Sequence, residues 1–257
     1  MIVQINQINF TVEKNNFFWT SFKANKWEKV NFVIYKYFIK KKTNYYDVGA
    51  WIGPTVLIAA SLFPSKIYGF EPDLKAYKEL KNNIILNKKK FKKNYVQLYN
   101  RAAYIKNCKL RLNIPWGKKG NSNSSLIKSK KISYSNITVK CINFLNFLKS
   151  KNLKTDDFIK IDIEGGEYKL LDYIGSFLRE KMPTIYVSPH PFLIDGYFKK
   201  IFYTNKLLFS LRGYKYIYQI KNNPINKSNI IFLLLKYRLP FFKRLKNSLI
   251  FTNKKIF

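Results

Sequence analysis

The run Tyr45-Tyr46-Asp47-Val48-Gly49-Ala50-Trp51-Ile52-Gly53-Pro54 decides the fold. It reads as a short apolar strand, a glycine-containing turn and the start of a helix. A second strand, Ile67-Tyr68-Gly69-Phe70-Glu71, follows and ends on a carboxylate. Strand, turn, helix, strand and acid open a nucleotide-binding βαβ unit. Gly49 lets the backbone come close to a ligand. Glu71 stands about 20 residues further on, placed to accept hydrogen bonds from both hydroxyls of a ribose.

The turn is Asp-x-Gly-x-x-x-Gly, not Gly-x-Gly-x-x-Gly. Asp47 takes the place of the first glycine and Ile52 that of the third. A pyrophosphate on the helix N-terminus wants those glycines, and Asp47 repels it. Asp47 favours a cationic group such as an amino-acid ammonium. A ribose beside a positive centre points to S-adenosylmethionine and argues against a nicotinamide-dependent oxidoreductase. Taken alone, the run also suits an N-cap-like Asp followed by a turn glycine. Glu71-Pro72-Asp73 at the right distance favours the cofactor reading, with Gly53, Pro72 and Asp73 joining Asp47, Gly49, Ala50 and Glu71 as candidate cofactor contacts.

Outward from this unit, Pro54 suits a first helical turn, and Val56, Ala59, Ala60 and Phe63 give that helix an apolar face. Asp73 is placed to cap a second helix with Leu74, Tyr77, Leu80, Ile84 and Ile85 as its buried stripe. Strands are predicted at 95–99, 158–162, 184–187, 214–220 and 248–252, with helices at 143–149 and 197–211. Leu110 to Ile114 alternates like an edge strand, and 137–141 is another short strand. The order argues for an α/β protein with an open, mostly parallel sheet and helices on both faces. Residues 1–44 read as a cap packed on the domain that runs from 45 to 257. A basic, aromatic and leucine-rich insertion at 222–246 precedes the last strand.

With 48 basic and 14 acidic residues the net charge is +34. A polyanion partner would explain it. So would biased base composition, because Lys, Asn, Ile, Phe and Tyr have AT-rich codons. Only six residues are Arg, which argues against a nucleic-acid binder. Either way the positive field attracts an anionic substrate or surface. The run 236–246 could rest on an anionic membrane, and a solvated basic helix explains it as well. No secretory signal is visible, and the two distant cysteines, Cys108 and Cys141, read as reduced thiols of a cytoplasmic protein.

Acids are scarce, so their positions inform. Six of the fourteen, Asp47, Glu71, Asp73, Asp162, Glu164 and Glu167, lie in two short motifs at strand ends. Asp162 and Glu164 alternate out of their strand, where a carboxylate can orient or deprotonate an acceptor hydroxyl. The plainer reading is a cap and a solvated turn. His190, the only histidine, reads equally as a general base and as a loop residue held between two prolines. Asp162 and Glu164 are hard ligands for a divalent metal, but no third ligand is evident and no metal is expected.

Asp47-Val48-Gly49-Ala50-Trp51-Ile52-Gly53-Pro54, Gly69-Phe70-Glu71-Pro72-Asp73, Asn123-Ser124-Ser125-Leu126, the run from Phe158 to Tyr168 and Ser188-Pro189-His190-Pro191 together resemble the FkbM-type family of S-adenosylmethionine-dependent methyltransferases. The resemblance runs from about 45 to 190. It implies a class I methyltransferase (Rossmann-like) sheet of seven strands with a reversed last strand. It also implies O-methylation of a hydroxyl on a sugar, glycan or related small molecule. By motif position it implies cofactor contacts at Asp47, Gly49, Ala50, Glu71 and Asp162, with Arg101 and Ala102 near the adenine. The family shows an acid after the fifth strand where this chain has Ser188. The competing reading keeps the scaffold and makes it a module that binds nucleic acid or an anionic surface.

Overall fold

The computed structural model describes residues 1–13, 17–24, 29–91, 95–115, 120, 122, 124–125, 134–220, 225–230, 233 and 248–256. Asn123, Leu126 and the basic run 236–246 lie outside the described residues.

The elements run β1 (Ile2–Ile5), β2 (Ile8–Thr11), α1 (Phe17–Lys23), α2 (Lys29–Phe38), β3 (Asn44–Val48), α3 (Pro54–Ala60), β4 (Lys66–Phe70), α4 (Leu74–Ile85) and β5 (Val96–Tyr99). They continue with β6 (Ala102–Tyr104), β7 (Cys108–Pro115), β8 (Tyr134–Asn143), α5 (Phe144–Ser150), β9 (Phe158–Ile161), α6 (Glu167–Lys181) and β10 (Thr184–Val187). The chain closes with α7 (Tyr197–Ser210), β11 (Tyr216–Ile220), β12 (Ile225–Ser228) and β13 (Ser248–Thr252).

The main sheet has the order β12-β11-β13-β10-β9-β3-β4-β5. Strands β5, β4, β3, β9 and β10 pair in parallel. The last strand, β13, inserts antiparallel between β10 and β11, as the reversed-strand expectation requires. The count is eight, not seven. Part of the predicted 222–246 insertion forms β12, which adds antiparallel to the outer edge of β11. Central strands β3, β9 and β10 are buried on both faces, and β3 and β9 each carry one buried charge, Asp47 and Lys160.

The segment 104–140 also differs from its expectation. The two predicted strands pair with each other over eight residues, Cys108 with Cys141 through Pro115 with Tyr134. With β6 they make a separate three-stranded sheet. Alternation explains this: Leu112, Ile114, Val139 and Cys141 form a small apolar cluster of their own. The sheet's Ala102 and Leu112 line one cavity with Val48 and Phe70, the last residues of β3 and β4.

The N-terminal segment shares the main core. Val3, Ile5, Phe10, Trp19 and Tyr35 are buried in one cluster with Val56, Leu57 and Leu80. Asn83 and Asn87 of α4 tie down the hairpin: the Glu13 N–H donates to Asn83 Oδ1 at 2.9 Å, and the Thr11 N–H donates to Asn87 Oδ1 at 2.9 Å. Among the described residues no helix is long and apolar enough to cross a membrane.

Candidate active site

The turn after β3 is built by close backbone contact. Gly49 has φ +88°, and a Cβ there would lie 1.9 Å from the Asp162 carbonyl oxygen. The Gly49 and Ala50 N–H groups both donate to the Phe70 carbonyl. Gly53, with φ +99°, packs its α-carbon against Leu80 of α4, so it serves helix packing and faces away from the cleft. Trp51 holds a left-handed φ of +48°, a conformation that costs a non-glycine residue about 1 kcal/mol or more. Its N–H donates to Glu71 Oε2 at 2.9 Å.

Asp47 is fully buried beneath this turn. Its Oδ2 accepts from Thr55 at 2.5 Å and its Oδ1 faces the Lys160 ammonium at 3.1 Å. Lys160 also donates to the Gly49 carbonyl at 2.7 Å and lies 3.9 Å from Asp162 Oδ2. Asp47 therefore reaches a ligand only through Lys160 and the turn it braces. Lys160 escaped the sequence reading; its one signal is a lysine inside the apolar strand Phe158-Ile159-Lys160-Ile161.

Glu71 ends β4 in the cleft wall. Its Oε1 accepts the Asp73 N–H at 2.8 Å, so each oxygen holds one backbone donor and keeps lone pairs for more. Burial pushes its carboxyl up to about 7, against those two N–H groups. A buried carboxylate so short of donors suits two ribose hydroxyls. Asp73 is turned away: its Oδ1 caps α4 by accepting from Lys75, and its Oδ2 accepts the Gly120 N–H at 2.7 Å. Asn100, also unforeseen, donates from Nδ2 to the Glu71 and Pro72 carbonyls.

Gly49, Trp51, Glu71, Pro72, Arg101, Ala102, Asp162 and Glu164 line one cavity, with Phe70, Leu112 and Ile163 as apolar walls and Ser122 and Ser124 above. Ala50 is buried behind it. The cavity holds about 50 Å³, well below the usual 300–1,000 Å³ of ligand sites.

The second motif meets His190 at the mouth of this cavity. Asp162 leaves β9 with its side chain 37% exposed. Glu164 sits at φ +50° in the tight turn before α6, its backbone carbonyl held by the Ser125 hydroxyl. His190 Nε2 lies 3.6 Å from Asp162 Oδ1 and 3.5 Å from Glu164 Oε1. Its Nδ1 lies 2.9 Å from Oε1 of the fully buried Glu167. Burial disfavours the imidazolium, yet Glu167, Glu164 and Asp162 outweigh it and raise His190 to about 10. Ser188 turns to Ser248 of β13, 2.9 Å away.

A family model described as Methyltransferase FkbM domain matches residues 47–218. The chain belongs to this family of methyltransferases. The FkbM match takes in both motifs and His190. No protein with a curated description matches the chain. The crystal structure of the methyltransferase FkbM from Methylobacillus flagellatus KT is 16% identical with a TM-score of 0.51, and shares the fold. That alignment covers 83% of this chain and 44% of the other, so the chain spans under half the length of that protein. An S-adenosylmethionine-dependent O-methyltransferase from Thermotoga maritima is 11% identical with a TM-score of 0.41, over 89% of this chain and 66% of that one.

Proposed function

We propose that the protein transfers a methyl group from S-adenosylmethionine to a hydroxyl of a sugar, glycan or related small molecule. The observation that carries this reading is the junction at Asp162. One carboxylate lines the Glu71 cleft and also joins Glu164 and His190 at the cleft's mouth. In this reading Glu71 takes the ribose hydroxyls, and Arg101 and Ala102 flank the base. S-adenosylmethionine supplies a methyl group on a sulfonium already activated for in-line displacement, so alignment accounts for much of the rate. Asp162 and Glu164 orient the acceptor hydroxyl and take up its proton. The +34 charge draws an anionic acceptor toward the site.

The test is transfer of a labelled methyl group to extracted glycans and lipids, with Glu71→Ala and Asp162→Ala as controls. Transfer by the wild type that both variants lose supports the reading. A chain that binds no S-adenosylmethionine by calorimetry, but binds RNA or DNA in a salt-sensitive way, overturns it in favour of a polyanion-binding module.

A further inference from the structure

We infer that Asp162, Glu164 and His190 bind one divalent transition-metal cation, with Glu167 as the orienting partner of His190. One donor atom from each of the three ligands lies within 4.8 Å of the others. The 3.5 and 3.6 Å separations from His190 Nε2 exceed the about 2.7–3.2 Å of an N–H···O bond. They match two ligands sharing one ion: bonds of about 2.1 Å at an angle near 110° set donor atoms about 3.5 Å apart.

The imidazole is prepared for that role from behind. Glu167 Oε1 accepts the Ile163 N–H at 2.9 Å and faces His190 Nδ1 at the same distance. Glu167 Oε1 holds the proton on Nδ1, so an incoming cation displaces the proton from Nε2, the nitrogen that faces Asp162 and Glu164. This carboxylate–histidine pairing is how proteins fix the tautomer of a metal-ligating histidine. The other oxygen of Glu167 is buried and has no hydrogen-bond partner among the described residues.

Charge points the same way. Three of the chain's fourteen carboxylates surround its only imidazole. The neighbouring cation, Lys160, is shared with Asp47. A dication offsets its two carboxylate ligands, and the mixed oxygen and nitrogen set suits Mn²⁺, Fe²⁺ or Zn²⁺. Three protein ligands leave coordination positions open toward the cleft. The catalytic meaning of the ion rests on the methyltransferase reading. An acceptor hydroxyl sharing the ion is more acidic, and with Asp162 and Glu164 engaged on the metal its proton goes to water rather than to them. Its oxygen then bonds the methyl carbon while the carbon–sulfur bond breaks and leaves its electron pair on sulfur.

The test uses the full chain, stripped with a chelator and titrated with Mn²⁺ under electron paramagnetic resonance. Uptake of one equivalent is expected, with nitrogen modulation from one imidazole in the pulsed spectrum. His190→Ala abolishes the modulation. Glu167→Gln keeps it and weakens binding about 10- to 100-fold. Asp156→Asn, which breaks only an exposed pair with Lys254, leaves uptake unchanged. No saturable uptake by the folded wild type, or bound Mn²⁺ without nitrogen modulation, overturns the site. Calorimetry with S-adenosylmethionine on the same sample keeps the two readings apart. Cofactor binding without Mn²⁺ uptake refutes the metal alone, and Mn²⁺ uptake without cofactor binding supports the metal while refuting the methyl-donor reading.

Discussion

Replacing Glu71 with Gln removes a charge and an acceptor from the centre of the cleft. Its two oxygens accept the Trp51 and Asp73 N–H groups at 2.9 and 2.8 Å. A glutamine amide keeps one oxygen and turns an NH₂ donor toward the other N–H. One buried backbone donor is left unpaired, at about 1–3 kcal/mol of stability. Cofactor affinity falls further, because hydrogen bonds to a charged group contribute about 1.5–3 kcal/mol each. Losing one such ribose bond and weakening the other costs about 2–4 kcal/mol, roughly 30- to 700-fold in Kd. Glu71 also sets a pH dependence. Its folded pKa of about 7 lies above the ordinary 4.5. The anion is the better acceptor, so affinity is full above that pKa and falls about tenfold per pH unit below it. Stability runs the other way. The folded state holds this proton more tightly than the unfolded chain, so its contribution is present below pH 4.5 and lost as pH rises through about 7. Calorimetric titration with S-adenosylmethionine at about pH 8 and about pH 6 reads the affinity changes, and urea unfolding at the same two pH values reads the stability. Equal affinity of wild type and Glu71→Gln, or a wild type indifferent to pH, refutes the ribose assignment.

Lys160→Met strips a fully buried Asp47 of its counter-ion. It should cost about 3–5 kcal/mol in urea unfolding, much of it recovered in Asp47→Asn with Lys160→Met; an unchanged midpoint for the single variant would show the pair to be dispensable. Gly49→Ala places a methyl 1.9 Å from the Asp162 carbonyl at φ +88°. A melting temperature well below wild type and loss of cofactor binding are expected, and a normal melt would mean that the β3 and β9 ends relax freely. Asn83→Ala releases the Glu13 N–H and the Ile52 carbonyl, both held at 2.9 Å. The expected loss is about 1–3 kcal/mol, with faster amide exchange in β2; unchanged exchange there would show that Asn87 alone holds the hairpin.

What the sequence by itself determined is local in origin. The βαβ unit, Asp73 as a cap and the carboxylates at strand ends follow from patterns within some 20 residues, where alternation, caps and turn glycines act. The reversed strand was legible through the family resemblance. The tertiary structure alone decided what distant residues do to each other. Asp47 and Lys160 are 113 positions apart, and a lysine in an apolar strand gives no sign of the acid it neutralises. Glu167 looks like a first-turn helix acid until the fold brings His190 beside it from 23 positions away. Folding likewise sets β7 and β8, with β6, apart as a separate sheet, because apolar side chains on β7 and β8 pack together. Backbone preference is written residue by residue, whereas a charge buried at a distance acquires its partner only when the core closes over both.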